Sequence, residues 1–230
     1  MKIIWLGHSS FRIEIGGQVL LIDPWLAGNP MFPAAREAEA LAGTTAILLT
    51  HGHDDHAGDA VRLAGLTGAP VVSGHEIAEV LGRQGITTRG FAKGGTVMLG
   101  GVAVSMVPAS HSSSFDGAAG MLGVAGSECG YMIAGEGHVI YVTGDTGIMA
   151  DMGWMGEYHA PDIGILCAGG HYTMDMKGAA WAARRYFDFK VVIPCHYRTF
   201  GLLAQDAAPL VAGLPGVRVI EPQVLEAISL

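Results

Sequence analysis

Thr50-His51-Gly52-His53-Asp54-Asp55-His56 follows the apolar run Ala46-Ile47-Leu48-Leu49 without a break. Three imidazoles and two carboxylates thus crowd into seven residues at the end of a short, strand-like segment. Strongly hydrated groups beside a buried strand cost several kcal/mol each when left unpaired. A divalent metal ion relieves that cost, because neutral imidazole nitrogens and carboxylate oxygens are the ligands that borderline metals accept. The stretch predicts a buried strand that ends in a metal site, and with it a metalloenzyme.

Working outward, single residues of the same ligand types follow other apolar runs. His111 comes after Val102-Ala103-Val104-Ser105-Met106-Val107-Pro108, Asp145 after Val139-Ile140-Tyr141-Val142-Thr143-Gly144, and His196 after Val191-Val192-Ile193-Pro194-Cys195. In layered α/β architectures functional side chains gather where strands end and loops begin. Four strand ends are therefore expected to converge on one pocket.

The rest of the chain supplies many short strands with helices interspersed. Strands are expected over 2–6, 10–15 and 18–22, the last two joined by the hairpin signal Gly16-Gly17. Further strands read at 46–49, 71–72, 87–89, 96–98, 102–107, 120–124, 131–134, 139–143, 163–166, 191–194 and 217–220. Gly135-Glu136-Gly137 marks a second hairpin. Helices are expected over 55–66, 75–81, 174–187 with Thr173 as N-cap, and 205–212. Such an order points to two mixed sheets packed face to face with helices outside. Hairpin-rich halves that meet near residues 110–120 hint at an internal duplication.

At 230 residues, 50% of them hydrophobic and 15% charged, the chain reads as one domain spanning 1–230 with a thick core. A chain of this size buries roughly 70–75% of its unfolded surface and needs no disulfide staples. Cys129, Cys167 and Cys195 lack CxxC spacing and read as buried thiols. No apolar run reaches the roughly 18 residues of a membrane span. Met1-Lys2-Ile3-Ile4-Trp5-Leu6-Gly7-His8 reads as a first strand rather than a signal peptide, which favours the cytoplasm. The formal charge of −8, with no basic run longer than Arg184-Arg185, argues against nucleic acid as partner. A small molecule is the expected substrate, and a homo-oligomer is compatible with the sequence.

These residues together resemble a known family. His51-x-His53-x-Asp55-His56, then His111, Asp145 and His196, resemble the metallo-β-lactamase-fold hydrolases along essentially the whole chain. Gly7-His8-Ser9-Ser10-Phe11, Asp23-Pro24, Gly170-His171-Tyr172-Thr173-Met174 and Pro194-Cys195-His196-Tyr197 are similar to the branch of metal-dependent hydrolases related to ascorbate-phosphate lactonases. The resemblance implies an αββα four-layer sandwich of two mixed sheets, with the metal site at one edge. It places one ion on His51, His53 and His111, a second on Asp55, His56 and His196, and Asp145 between them. Zinc, manganese, nickel or iron would suit that set, which contains no thiolate. It also suggests that Asp23, by position a turn residue, supports the metal histidines.

Two ions about 3.5–4 Å apart share a water, lower its pKa to near 7 and clamp the attacked and leaving oxygens. The expected activity is hydrolysis of a small ester-like, lactone, amide or phosphodiester substrate by a hydroxide bridging two divalent metal ions. Asp145 and Asp55 would serve catalysis as well as metal binding. His8, at the end of the first strand, would orient a ligand or touch substrate. His171 precedes a helix N-terminus and is a candidate substrate or acid residue. His75, His138 and His159 read as surface or packing residues, Asp54 as solvent-facing or a helix cap, and Lys93-Gly94-Gly95 as a turn. Competing readings are an iron-dependent oxidoreductase, a nuclease on the same fold, or a metal-dependent binding protein.

Overall fold

The computed structural model describes residues 1–116 and 122–230. Its first half runs β1 (Lys2–Trp5), β2 (Phe11–Ile15), β3 (Gln18–Ile22), α1 (Glu37–Leu41), β4 (Ala46–Leu48), α2 (Asp54–Ala57), α3 (Ala60–Thr67), β5 (Val71–Gly74), α4 (His75–Gly82) and β6 (Thr88–Phe91). There follow β7 (Thr96–Leu99), β8 (Val102–Pro108), β9 (Ser114–Asp116), β10 (Leu122–Val124), β11 (Cys129–Gly135), β12 (His138–Val142), α5 (Met152–His159) and β13 (Ile163–Cys167). The chain closes with α6 (Met176–Tyr186), β14 (Val191–Cys195), α7 (Ala208–Gly213), β15 (Arg218–Val219) and β16 (Ala227–Ser229).

Two seven-stranded sheets result, ordered β16-β1-β2-β3-β4-β5-β6 and β15-β14-β13-β12-β11-β8-β7. Each starts as an antiparallel meander and turns parallel, at β3–β4 in one and β12–β13 in the other. Parallel neighbours require crossovers, and the helices that supply them cover the outer faces. That is why β4, β13 and β14 are buried along their whole length. The larger core cluster draws Trp5, Phe11, Ile13 and Leu20 from one sheet against Val104, Tyr131, Ile133 and Ile140 from the other. A smaller one seats Leu63, Ile77 and Leu81 of α3 and α4 on Leu21, Ile47 and Val71. The αββα sandwich expected from the resemblance is the observed fold. Among the described residues no helix is long and apolar enough to cross a membrane.

Several details differ from the sequence expectation. The two sheets divide between β6 and β7, so the halves part at residues 91–96 rather than 110–120. The helix expected over 55–66 is two helices, because Asp59 turns away to accept the N–H groups of Leu26 (2.8 Å) and Ala27 (2.6 Å). Thr173 is not the cap of α6. Asp175 takes that place, its Oδ1 accepting from Gly178 N at 2.6 Å. The helix expected over 205–212 is shorter, and of the strand expected over 120–124 the first two residues lie outside the described residues. Helix α5 and strands β9 and β16 had no sequence expectation.

Candidate metal centre

Six chemically distinctive side chains stand past the C-terminal ends of strands on one rim of the sandwich, and His53, Asp55 and His56 stand at the helix α2 that follows β4. His8 follows β1, Asp23 follows β3, His51 follows β4, His111 follows β8, Asp145 follows β12 and His196 follows β14. Three of them have left-handed backbones, His8 (φ 52°), Asp23 (φ 43°) and His196 (φ 56°). A residue with a side chain pays roughly 1–3 kcal/mol to stay there, so the surroundings must over-determine it. They do: His196 N donates to His8 O (3.0 Å), Trp5 Nε1 donates to the same oxygen (2.8 Å), and Asp23 N donates to Leu48 O (2.9 Å). Gly144 (φ 59°) makes the turn into Asp145, where a Cβ would lie 2.6 Å from Cys129 O and 2.8 Å from Thr50 Cβ. Only glycine fits there.

Among the described residues three groups of ligand atoms form on this rim, one of them the fully buried Asp23, His51 and His56, and the other two hold the expected ligands. His51, His53 and His111 make one, and Asp55, His56, His196 and His8 make the other, the atoms within each lying within 4.8 Å of one another. Asp145 Oδ2 stands between the groups, 3.1 Å from His196 Nε2, 3.4 Å from His56 Nε2 and 3.6 Å from His111 Nε2. All seven residues expected from the resemblance are therefore brought together.

Supporting contacts explain how the rings are aimed. Asp23 Oδ1 accepts from Thr50 N (2.7 Å), while Oδ2 accepts from the Thr50 hydroxyl (2.6 Å) and faces His56 Nδ1 at 2.9 Å. Asp23 thus holds the back of His56 and leaves Nε2 pointing inward. Thr50 Oγ1 reaches His51 Nδ1 at 3.0 Å and does the same for that ring. His8 does not reach the solvent side; its Nε2 meets Asp55 Oδ2 at 2.9 Å and its Nδ1 meets Thr199 Oγ1 at 2.8 Å.

A beta-lactamase superfamily domain model matches residues 2–196. The chain belongs to the beta-lactamase superfamily. Within it, the chain is 67% identical over 231 residues to a UPF0173 metal-dependent hydrolase of Paracoccus denitrificans (strain Pd 1222), with both chains covered in full. That likeness places it in the family of UPF0173 metal-dependent hydrolases. Among solved structures it is similar to Igni18, described as a novel metallo hydrolase from Ignicoccus hospitalis KIN4/I, at 34% identity and TM-score 0.82, covering 100% of this chain and 98% of the other. The isothiocyanate hydrolase from Delia radicum gut bacteria shares the fold at 20% identity and TM-score 0.78, covering 100% and 99%.

Electrostatics in this superfamily member fit a cation. Among the described residues, buried His56 Nε2 and Asp145 Oδ1 have no hydrogen-bond partner, an arrangement that costs folding energy unless something else satisfies them. Burial pushes His51 well below the ordinary imidazole range, and the neighbouring His56 adds to it. Burial likewise lowers His111 and takes His8 to about 4. Neutral imidazole is the form that binds metal. Asp145 is held well below the carboxylate range because His56 and His196 outweigh the effect of its burial. Asp55 is lowered as well: burial opposes ionisation, and the His8 hydrogen bond and the His56 charge overcome it. The donor set is five imidazoles and two carboxylates, and none of the three buried cysteines joins it among the described residues.

In front of these groups lies a cavity of about 550 Å³ walled by Trp25, Tyr172 and Phe200, with His53, Asp55, His111, Asp145 and His196 on its floor and Asp54 and Ser112 at its edge. A larger hollow of about 710 Å³, between Thr96, Met132, Trp154 and Tyr158 on the outside of the second sheet, holds none of them. His171 is exposed; its ring packs edge-on against Tyr172, with centroids 4.5 Å apart, and does not line the cavity. Tyr197 is buried against Trp5 at 5.7 Å. His75 is exposed, His138 pairs with Asp162 (2.6 Å) and His159 lies against Tyr158, all away from the centre. Trp25, Thr199 and Phe200 had no mark in the sequence as site residues.

Proposed function

We propose that this chain is a binuclear metal-dependent hydrolase of a small molecule. His51, His53 and His111 would hold one ion and Asp55, His56 and His196 the other, with Asp145 standing between the two sets. The observation that carries this reading is the position of Asp145 Oδ2, within 3.1–3.6 Å of imidazole nitrogens from both groups. Zinc, manganese, nickel or iron satisfies the donor set. When bound, such ions supply Lewis acidity toward a carbonyl or phosphoryl oxygen and lower the pKa of water.

The protein's own contributions follow from its geometry. Asp23 and Thr50 hold His56 and His51 in fixed orientations, and His8 does so for Asp55. Asp145, besides standing between the two sets, would accept a proton released during attack. Trp25, Tyr172 and Phe200 shield the floor from bulk water and orient the substrate. The bond class is that of esters, lactones, amides or phosphodiesters. Three buried free thiols suit a reducing compartment, and we place the activity in the cytoplasm. Asp55→Ala and His53→Ala should each abolish hydrolysis of any substrate the wild type cleaves; full turnover in either variant would contradict the assignment.

A further inference from the structure

The rim of the cavity carries an unusual charge pattern. Its walls are the three aromatic rings of Trp25, Tyr172 and Phe200, and the acidic residue Asp54 lies at its edge. Among the described residues no Lys or Arg lines it. The undescribed residues bring none either, since residues 94–176 contain neither Lys nor Arg, and His111, Ser112, Asp145 and Tyr172 all come from that stretch. Arg198 is the basic residue nearest the ligands in sequence, only two positions after His196. Its guanidinium is committed elsewhere, 5.5 Å from the centre of the Tyr197 ring and 5.9 Å from that of Trp5. Lys93 is exposed and also outside the lining.

The aromatic walls are themselves anchored. Trp25 and Phe200 stand 6.2 Å apart, each packed on the buried ring of His8 at 5.5 and 5.6 Å. The backbone of Trp25 is held in place, since its N donates to Ser10 Oγ at 2.9 Å and Asn29 Nδ2 donates to its O at 3.1 Å. Leu203 N and Gln205 Nε2 both donate to Phe200 O, at 3.0 and 2.9 Å.

Aromatic faces are electron-rich and attract flat apolar groups. A carboxylate or phosphate on the flanking part of a substrate would lose its water against these rings and find no Lys or Arg among the described lining residues to offset that loss. We infer that the part of the substrate flanking the scissile bond is apolar and carries no negative charge, seated between Trp25, Phe200 and Tyr172. The inference rests on the hydrolase reading above and narrows it, setting neutral esters, lactones and amides ahead of phosphodiesters and acidic esters.

The test uses two esters of nearly equal size and the same leaving group, 4-nitrophenyl butyrate and 4-nitrophenyl hydrogen succinate, with the manganese-loaded and zinc-loaded protein. The butyrate should have the higher kcat/KM by about a hundredfold, corrected for the uncatalysed rates. Phe200→Lys, and separately Tyr172→Lys at a 54% exposed position, should narrow that ratio at least about tenfold. Equal rates for the two esters, or a ratio that both variants leave unchanged, would overturn the inference while leaving hydrolysis intact. If neither ester turns over, binding to the metal-free protein decides. Quenching of Trp25 fluorescence by 4-nitrobenzyl butyrate, lost in Trp25→Phe and at least about tenfold weaker for 4-nitrobenzyl hydrogen succinate, upholds it even though the hydrolase reading fails for esters. Equal quenching by both, or by neither, overturns it.

Discussion

His8 Nε2 lies 2.9 Å from Asp55 Oδ2 across 47 residues of sequence, with the ring's other nitrogen 2.8 Å from Thr199 Oγ1. Burial keeps this imidazole neutral, with a pKa of about 4, so only one of its nitrogens carries a proton. Ionised Asp55 can only accept, which puts the proton on Nε2 and leaves Nδ1 to accept from the Thr199 hydroxyl. His8 therefore fixes one oxygen of a proposed metal ligand and in doing so orients the carboxylate.

His8→Asn should lower affinity for the ion at Asp55 by about 10- to 100-fold while the ion at His51, His53 and His111 is retained. Metal titration followed by elemental analysis after dialysis checks this. Full retention of both ions would show that His8 does not position Asp55.

Asp23 should matter more for stability than its turn position suggests. It is almost fully buried and satisfies Thr50 N, the Thr50 hydroxyl and His56 Nδ1. Asp23→Ala would leave those groups buried without a partner, a loss of about 3 kcal/mol. Urea unfolding of the metal-free variant measures it, and a change under 1 kcal/mol, about the level of a surface substitution, would refute the role.

Stability of the metal-free protein should depend on pH in a defined sense. His8, His51 and His111 are lowered by burial, so between about pH 6.5 and 4 the unfolded chain binds protons that the folded chain refuses. Stability then rises with pH across that window. His56 is raised well above the usual value because Asp145 and Asp23 outweigh its burial. Its contribution is complete below about pH 6.5 and is lost as pH climbs through its folded pKa. Thermal unfolding of metal-stripped protein should show a Tm higher at pH 6.5 than at pH 4.5 or pH 9. A Tm that increases as the pH falls from 6.5 to 4.5, or as it rises from 6.5 to 9, would contradict these directions.

His171 and Tyr172 separate in their expected effects. His171 is exposed and outside the cavity wall, so His171→Ala should change kcat/KM by less than about threefold, whereas Tyr172→Ala should raise KM. A large loss of kcat in His171→Ala would restore the acid role that its sequence position suggests.

Much of the centre was legible because its signals are local. An apolar run followed by His51-x-His53-x-Asp55-His56 marks a strand end, and the runs before His111, Asp145 and His196 mark three more. The supporting residues were less visible. Thr199 meets His8 across 191 positions, and Asp23 looks like any aspartate before a proline. Left-handed backbones at His8, Asp23 and His196 carry no glycine to announce them. Helix α5 hid because Gly153 and Gly156 dilute its pattern and both Trp154 and Tyr158 face solvent. The break between α2 and α3 depends on where Asp59 finds its donors, which no spacing along the chain specifies.

Anomalous diffraction from crystals soaked in manganese tests the central claim most directly. The account predicts two peaks, one bonded to His51, His53 and His111 and the other to Asp55, His56 and His196, with Asp145 in contact with both. A single peak, or peaks that leave His111, Asp145 or His196 without a bond to metal, would contradict it.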